Sequence, residues 1–309
     1  MVEGTTAPHG TDNIAQLWQL LRSTSKTFIS VSTTAVEERE DHAVEHLVLS
    51  YDNAQIRGFL TRPLATGRHP GLLYAHAHGR RYEIGASELI EGRAALQGAY
   101  GPELARAGYV SICIDMPTFG ERAEPGEDAM VKATLWRGTT LMGQMLGELS
   151  AAVGYLTQRN DVDPERIGAF GISMGATHSY MLAALDPRIR AVAHLCCYAE
   201  FDTLIEVNHH DLHGHYLTIP GFTEVTSVGK IAGMIAPRPQ LICNGAEDPL
   251  TPPTAIQRAL AETEAAYERA GAGGNLTCIV YPEVGHFETP SMRREVLSFL
   301  AQHLQPERS

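Results

Sequence analysis

From residue 43 onward, short apolar runs alternate with longer amphipathic stretches. EHLVLSY (45–51) and AQIRGFLTR (54–62) alternate apolar and polar positions, which predicts two paired strands joined by a turn at Asp52-Asn53. Six further runs follow: GLLYAHAH (71–78), YVSICIDM (109–116), RIGAFGIS (166–173), IRAVAHLCCY (189–198), PQLICNGAED (239–248) and LTCIVYPEV (276–284). They are almost continuously apolar, as strands buried on both faces of a mostly parallel sheet must be. Between them, residues 135–158 carry Met142, Met145, Leu149, Val153 and Leu156 at helical spacing, and 174–185, 252–271 and 289–304 also predict helices. Trp136 fits the core side of that first helix. The alternation predicts a doubly wound α/β sheet with helices on both faces and ligands outside the carboxyl ends of its strands. Residues 11–24 predict one amphipathic helix capped at Thr11 or Asp12. The expected division is an N-terminal helical extension over 1–42 and one domain over 43–309. The connections 117–165 and 199–238 are longer than a crossover needs and predict lid-like insertions above the carboxyl edge.

Composition narrows the partners. Lys+Arg is 24 against Asp+Glu 36, a net charge of -12, which speaks against nucleic acid or an anionic membrane surface. Cys113, Cys196, Cys197, Cys243 and Cys278 all sit in apolar runs, without a CxxC, and predict reduced, buried thiols. The start MVEGTTAPHGTDN lacks a basic and apolar leader, and no apolar run approaches membrane-spanning length. The expectation is a cytoplasmic globular protein with a small-molecule partner; homo-oligomerisation is left open.

The chemistry begins at GAFGISMGATHSYM (168–181), where Gly171-Ile172-Ser173-Met174-Gly175 fits G-x-S-x-G between an apolar strand and a helix. That context lifts a serine hydroxyl above the sheet and aims the Met174 N–H at the reacting centre. A serine nucleophile needs a base, and the base an orienting carboxylate. In this arrangement the chain order is serine, acid, histidine. Asp248, at the end of the strand PQLICNGAED, and His286, in the loop of YPEVGHFETP, meet that order and the same sheet edge. Asp248 also reads as a helix cap, with Glu247 and Asp202 as rival acids; His194, inside a strand, reads as a core histidine. An oxyanion site needs a second donor from AHAHGRRYEIG, where Gly79 allows close backbone approach and the Arg80 N–H is the candidate. His78, Gly79 and Arg81 fall near the mouth, the arginines reading equally as surface charge paired with Glu83 or Glu121. Thr118 and Phe119, after the fourth strand, are candidates for the acyl side.

The segment HHDLHGH (209–215) places four histidines and an aspartate in the second insertion. Zinc uses such residues, and His209 and His213 could share a helical face, but no cysteine is near in sequence and adjacent His209 and His210 point apart. His210 and His213 are therefore candidate substrate-lining residues, and no metal or other cofactor is expected.

Together HPGLLYAHAHG, IDMPTFGER, DVDPERIGAFGISMGA, IAPRPQLICNGAEDPLTP and the terminal GH resemble the α/β-hydrolase superfamily, over about residues 43–304. Within it the resemblance is to the dienelactone-hydrolase-like and acetyl-xylan-esterase-like branch. It implies an eight-stranded sheet and serine esterase activity toward a small carboxylic ester, with Ser173, His286 and Asp248 as nucleophile, base and acid and Met174 and Arg80 as oxyanion donors. Two departures stand out: dienelactone hydrolases are shorter and use cysteine, and Met174-Gly175-Ala176 replaces the Gln and further Gly common after the serine in acetyl-xylan-type esterases. The same side chains could serve a C–C bond hydrolase, an amidase or an acyltransferase. A ligand receptor on the same scaffold and a metallohydrolase built on the histidines are the other readings.

Overall fold

The structure, a computed structural model, describes residues 10–305 except 29, 52 and 53. The predicted Asp52-Asn53 turn lies outside the described residues. Among the described residues nine strands form one sheet: β1 Ser30–Glu38, β2 His42–Tyr51, β3 Ala54–Pro63, β4 His69–Ala75, β5 Val110–Ile114, β6 Val162–Ile172, β7 Ile189–Leu195, β8 Gln240–Gly245 and β9 Leu276–Tyr281. Their order is β1-β2-β3-β5-β4-β6-β7-β8-β9. The pairs from β5 through β4, β6, β7 and β8 to β9 are parallel, and β1, β2 and β3 add antiparallel pairs at one side.

β5, β7 and β8 are buried almost throughout because both faces are covered. On one face Leu17, Met145, Leu149, Val153, Met181, Ile231 and Ile256 meet the sheet in one apolar cluster. On the other, Tyr100, Leu104, Met292, Val296 and Leu300 do so. Burial of a side chain of this size contributes about 1.5–3 kcal/mol, so these two layers carry most of the driving force for folding.

Three expectations need correction. The sheet has nine strands, not eight: β1 comes from the segment read as a helical extension. Its sequence, SVSTTAVEE, leaves nearly every residue exposed, so no apolar alternation announced it. The N-terminal helix, Gly10–Leu20, begins before Thr11 and Asp12, which lie inside it. Leu17 and Leu21 are buried in the main core, so the extension packs as part of it. The helix expected over 135–158 is two, Glu127–Trp136 and Leu141–Gln158. Gly138, at φ 77°, breaks the chain there, and the Thr140 hydroxyl accepts the Gly143 N–H to start the second helix. That break strands Trp136 on a terminal turn, 84% exposed, whereas Met142 and Met145 are buried.

Among the described residues no helix is long and apolar enough to cross a membrane. The five cysteines are free, four buried and Cys278 partly so. Burial pushes the Cys278 thiol up to about 11, and the others upward too.

Candidate active site

β6 ends at Ile172, and Ser173 makes the turn into the helix Met174–Leu185 with φ 56° and ψ -123°. A non-glycine residue there stores about 1–3 kcal/mol and persists only where its surroundings over-determine it. Both its backbone groups are tied: Ser173 N–H donates to Leu195 O at 2.8 Å, and Ser173 O accepts from Thr177 N–H at 3.1 Å. The flanking glycines are required by crowding. A Cβ on Gly175 would lie 1.9 Å from the Ala75 carbonyl oxygen, and one on Gly171 would lie 2.5 Å from Gly175 C. The helix N-terminus can press against the end of β4 only with bare backbone at both positions.

Three side chains then form a continuous hydrogen-bonded line. His286 Nε2 lies 2.8 Å from Ser173 Oγ, and His286 Nδ1 lies 2.7 Å from Asp248 Oδ2. Asp248 is buried (1% exposed), and its other oxygen accepts the Leu250 N–H at 2.9 Å. The buried carboxylate fixes the imidazole tautomer, with Nδ1–H donated to Asp248 and Nε2 left to accept from the serine. The rival acids lie elsewhere. Asp202 is at the surface, 4.0 Å from Arg258, and the Glu247 side chain is exposed. His194 is the buried core histidine expected, 3.0 Å from Gln240, and burial drives it down to about 3.

Among the described residues five of the seven left-handed non-glycine residues follow strands at the same edge, Arg80 after β4, Thr118 after β5, Ser173 after β6, Cys196 after β7 and Glu283 after β9; Arg22 and Asn208 lie elsewhere. Strained backbone gathers where loops must aim groups into a common space.

The Met174 N–H opens a helix and has no intrahelical acceptor. The Arg80 N–H, by contrast, is occupied: it donates to His78 Nδ1 at 3.0 Å. In the same loop the Ala77 N–H goes to Glu88 and the Arg81 N–H to His78 O, while no acceptor among the described residues takes the His78 N–H. Among the described residues the Gly79 N–H has no acceptor either, so the free amides of this loop lie one and two positions before the one the sequence suggested. The His78 side chain is buried, and Arg81 pairs with Glu83 at the surface. Glu121 reaches Arg57, not these arginines. Thr118 and Phe119 are wholly buried. Phe119 is stacked on Tyr82 at 5.3 Å and edge-on to His78 at 5.2 Å.

The segment 209–215 packs against the turn that carries the acid. The His209 ring donates to Pro249 O at 2.8 Å and the His213 ring to Leu250 O at 3.1 Å. Burial, and secondarily the nearby His286, pushes the His213 ring below its ordinary range. His210 and His215 are exposed, and among the described residues no three His, Cys, Asp or Glu side chains converge as a metal site would require. His210 and His213 line one wall of a cleft of about 560 Å³ with Phe201, Leu204, Leu217 and Phe222.

Sequence reasoning missed Glu127. It is buried and accepts from His78 Nε2 at 2.8 Å, from the Tyr82 hydroxyl at 2.9 Å and from the Tyr216 N–H at 2.8 Å. Its hydrogen bonds, His78 first, hold its carboxyl below the usual range against the opposing effect of burial. An acidic residue in a helix's first turn reads as ordinary dipole complementarity, and its partners are far away in sequence.

A model described as the dienelactone hydrolase family matches residues 99–212. The chain is 36% identical over 279 residues to "Putative hydrolase YtaP" of Bacillus subtilis (strain 168), covering 89% of this chain and 93% of that one. Among solved structures it is similar to an acetyl xylan esterase from Paenibacillus sp. R4, with a TM-score of 0.65 and 19% identity over 95% of this chain and 93% of that one. It is also similar to acetyl xylan esterase 1 from Thermoanaerobacterium sp. JW/SL YS485, with a TM-score of 0.61 and 17% identity, covering 96% and 94%. At these identities the two structures speak to the fold.

Proposed function

The chain belongs to the dienelactone hydrolase family, a family of carboxylic ester hydrolases, and from that premise we propose that it cleaves small carboxylic esters by acyl transfer through Ser173. The observation that carries this reading is the unbroken line from Ser173 Oγ through His286 to the buried Asp248. His286 Nε2 takes the hydroxyl proton as Oγ attacks the ester carbonyl carbon. Asp248 stabilises the imidazolium that results. The Met174 N–H and a loop amide, for which the His78 and Gly79 N–H groups are free where the Arg80 N–H is not, take the charge on the carbonyl oxygen. Collapse of the tetrahedral intermediate breaks the bond to the alcohol oxygen, which leaves with the proton from His286. Water then repeats the sequence on the acyl-enzyme and returns the acid and free Ser173.

No step asks for a metal or cofactor. The five free thiols fit a reducing compartment, and we place the protein in the cytoplasm on that ground. A panel of short p-nitrophenyl esters beside an anilide and a β-diketone tests the bond cleaved. Turnover of the esters alone supports esterase action, and preference for either other substrate replaces it. A fluorophosphonate that fails to label Ser173 removes the reading altogether.

A further inference from the structure

Glu127 joins three segments distant in sequence. Its Oε2 accepts from His78 and Tyr82 in the loop after β4, and its Oε1 from the Tyr216 backbone in the second insertion. Both carboxylate oxygens thus accept at least one hydrogen bond. Gly214 lies so close that a Cβ there would be 2.8 Å from His78 Nε2 and 2.9 Å from Glu127 Oε1.

The hydrogen bonds fix the state of His78. Its Nδ1 accepts the Arg80 N–H, so the proton is on Nε2 and points at Glu127. Glu127 therefore selects the tautomer that lets His78 fold back on its own loop. That loop needs the help: Gly79 and Arg80 are consecutive left-handed residues, φ 52° and 55°. The cost falls on Arg80, which has a side chain. The loop's approach to the nucleophile is tight, since the Gly175 backbone abuts Ala75 O and His76 O.

We propose that Glu127 is a positioning residue: through His78 it holds the loop whose amide receives the oxyanion, and through Tyr216 it fastens the 209–217 insertion beside it. This rests on acyl transfer at Ser173. A misplaced donor weakens the transition state more than the bound substrate, so the effect belongs in kcat.

The test compares Glu127→Gln, His78→Phe and the double variant on a p-nitrophenyl ester, with Ser173→Ala alongside. Glutamine turns one acceptor into a donor facing His78 and Tyr82. Phenylalanine keeps the packing on Phe119 and removes both ring bonds. Each single variant is expected to lower kcat by about tenfold to a hundredfold, with KM within twofold. The double variant is expected to lose no more than the worse single one, because both act through one link. A kcat within twofold of the parent for His78→Phe, or losses that multiply in the double variant, overturns the proposal. If Glu127→Gln does not fold, His78→Phe alone decides by the same kcat and KM criteria. Should Ser173→Ala keep full activity, the acyl-transfer reading fails first, and separately.

Discussion

His213 donates a ring hydrogen bond to the carbonyl of Leu250 at 3.1 Å, and Leu250 donates its N–H to Asp248 at 2.9 Å. Two links thus connect the histidine-rich insertion to the acid that orients His286. The cluster 209–215 is a buttress for the carboxylate turn on one side and a cleft wall on the other.

His213→Ala removes the donor from a partly buried carbonyl. It is expected to lower unfolding free energy by about 1 kcal/mol and to reduce kcat severalfold by loosening Asp248. Urea unfolding and steady-state kinetics on the same preparation check both, and an unchanged kcat would show the turn to be held without it.

Asp248→Asn keeps the shape but can present an amide N–H₂ to His286 Nδ1, which favours the wrong tautomer. A fall in kcat on the order of 10⁴ is expected, as for the equivalent change in other serine triads. Circular dichroism should remain native. A loss under tenfold would mean another group orients the base.

Gly175→Ala forces a Cβ onto the Ala75 carbonyl, where no flexible side chain can yield. Destabilisation of about 3 kcal/mol or more is expected, with loss of activity. Gly273→Ala, which has no heavy atom within 4 Å of its added Cβ, is the control and should be nearly neutral. Thermal midpoints of the two variants decide.

Burial, the largest influence in each case, drives three histidines below their ordinary value of 6.5: His76 and His194 to about 3 and His178 to about 4. Each is neutral when folded and protonates more readily when unfolded. Their contribution is complete above about pH 6.5 and is lost as pH falls through about 4 for His178 and about 3 for His76 and His194. At pH 5 each costs about 2 kcal/mol relative to neutral pH. Urea midpoints at pH 7 and pH 5 should differ by a large fraction of total stability; equal midpoints would mean these rings are not neutral in the folded state.

That Ser173, Asp248 and His286 would come together was legible because each follows an apolar strand, and strand ends on one edge of a parallel sheet are neighbours in space. What failed to show in the sequence was what such runs do not encode. β1 has almost no buried residue. Glu127 looks like any acidic helix start until the fold brings His78 and Tyr216 to it. Arg80 was the natural donor by pattern, but its amide is claimed by a ring two residues away. Phe119 read as a lining residue, but its ring is wholly buried against Tyr82 and His76, packing that the sequence does not encode.

β1 is also the rim of an open sheet, where unpaired backbone invites another chain to add itself. Its outer run ends in Glu37 and Glu38, with Glu37 held by Arg39 and His46, and almost all of it is exposed to water. The strand that the sequence hid thus gives the sheet a charged, hydrated border, and the poverty of apolar residues that concealed it is the composition that disfavours edge-to-edge addition.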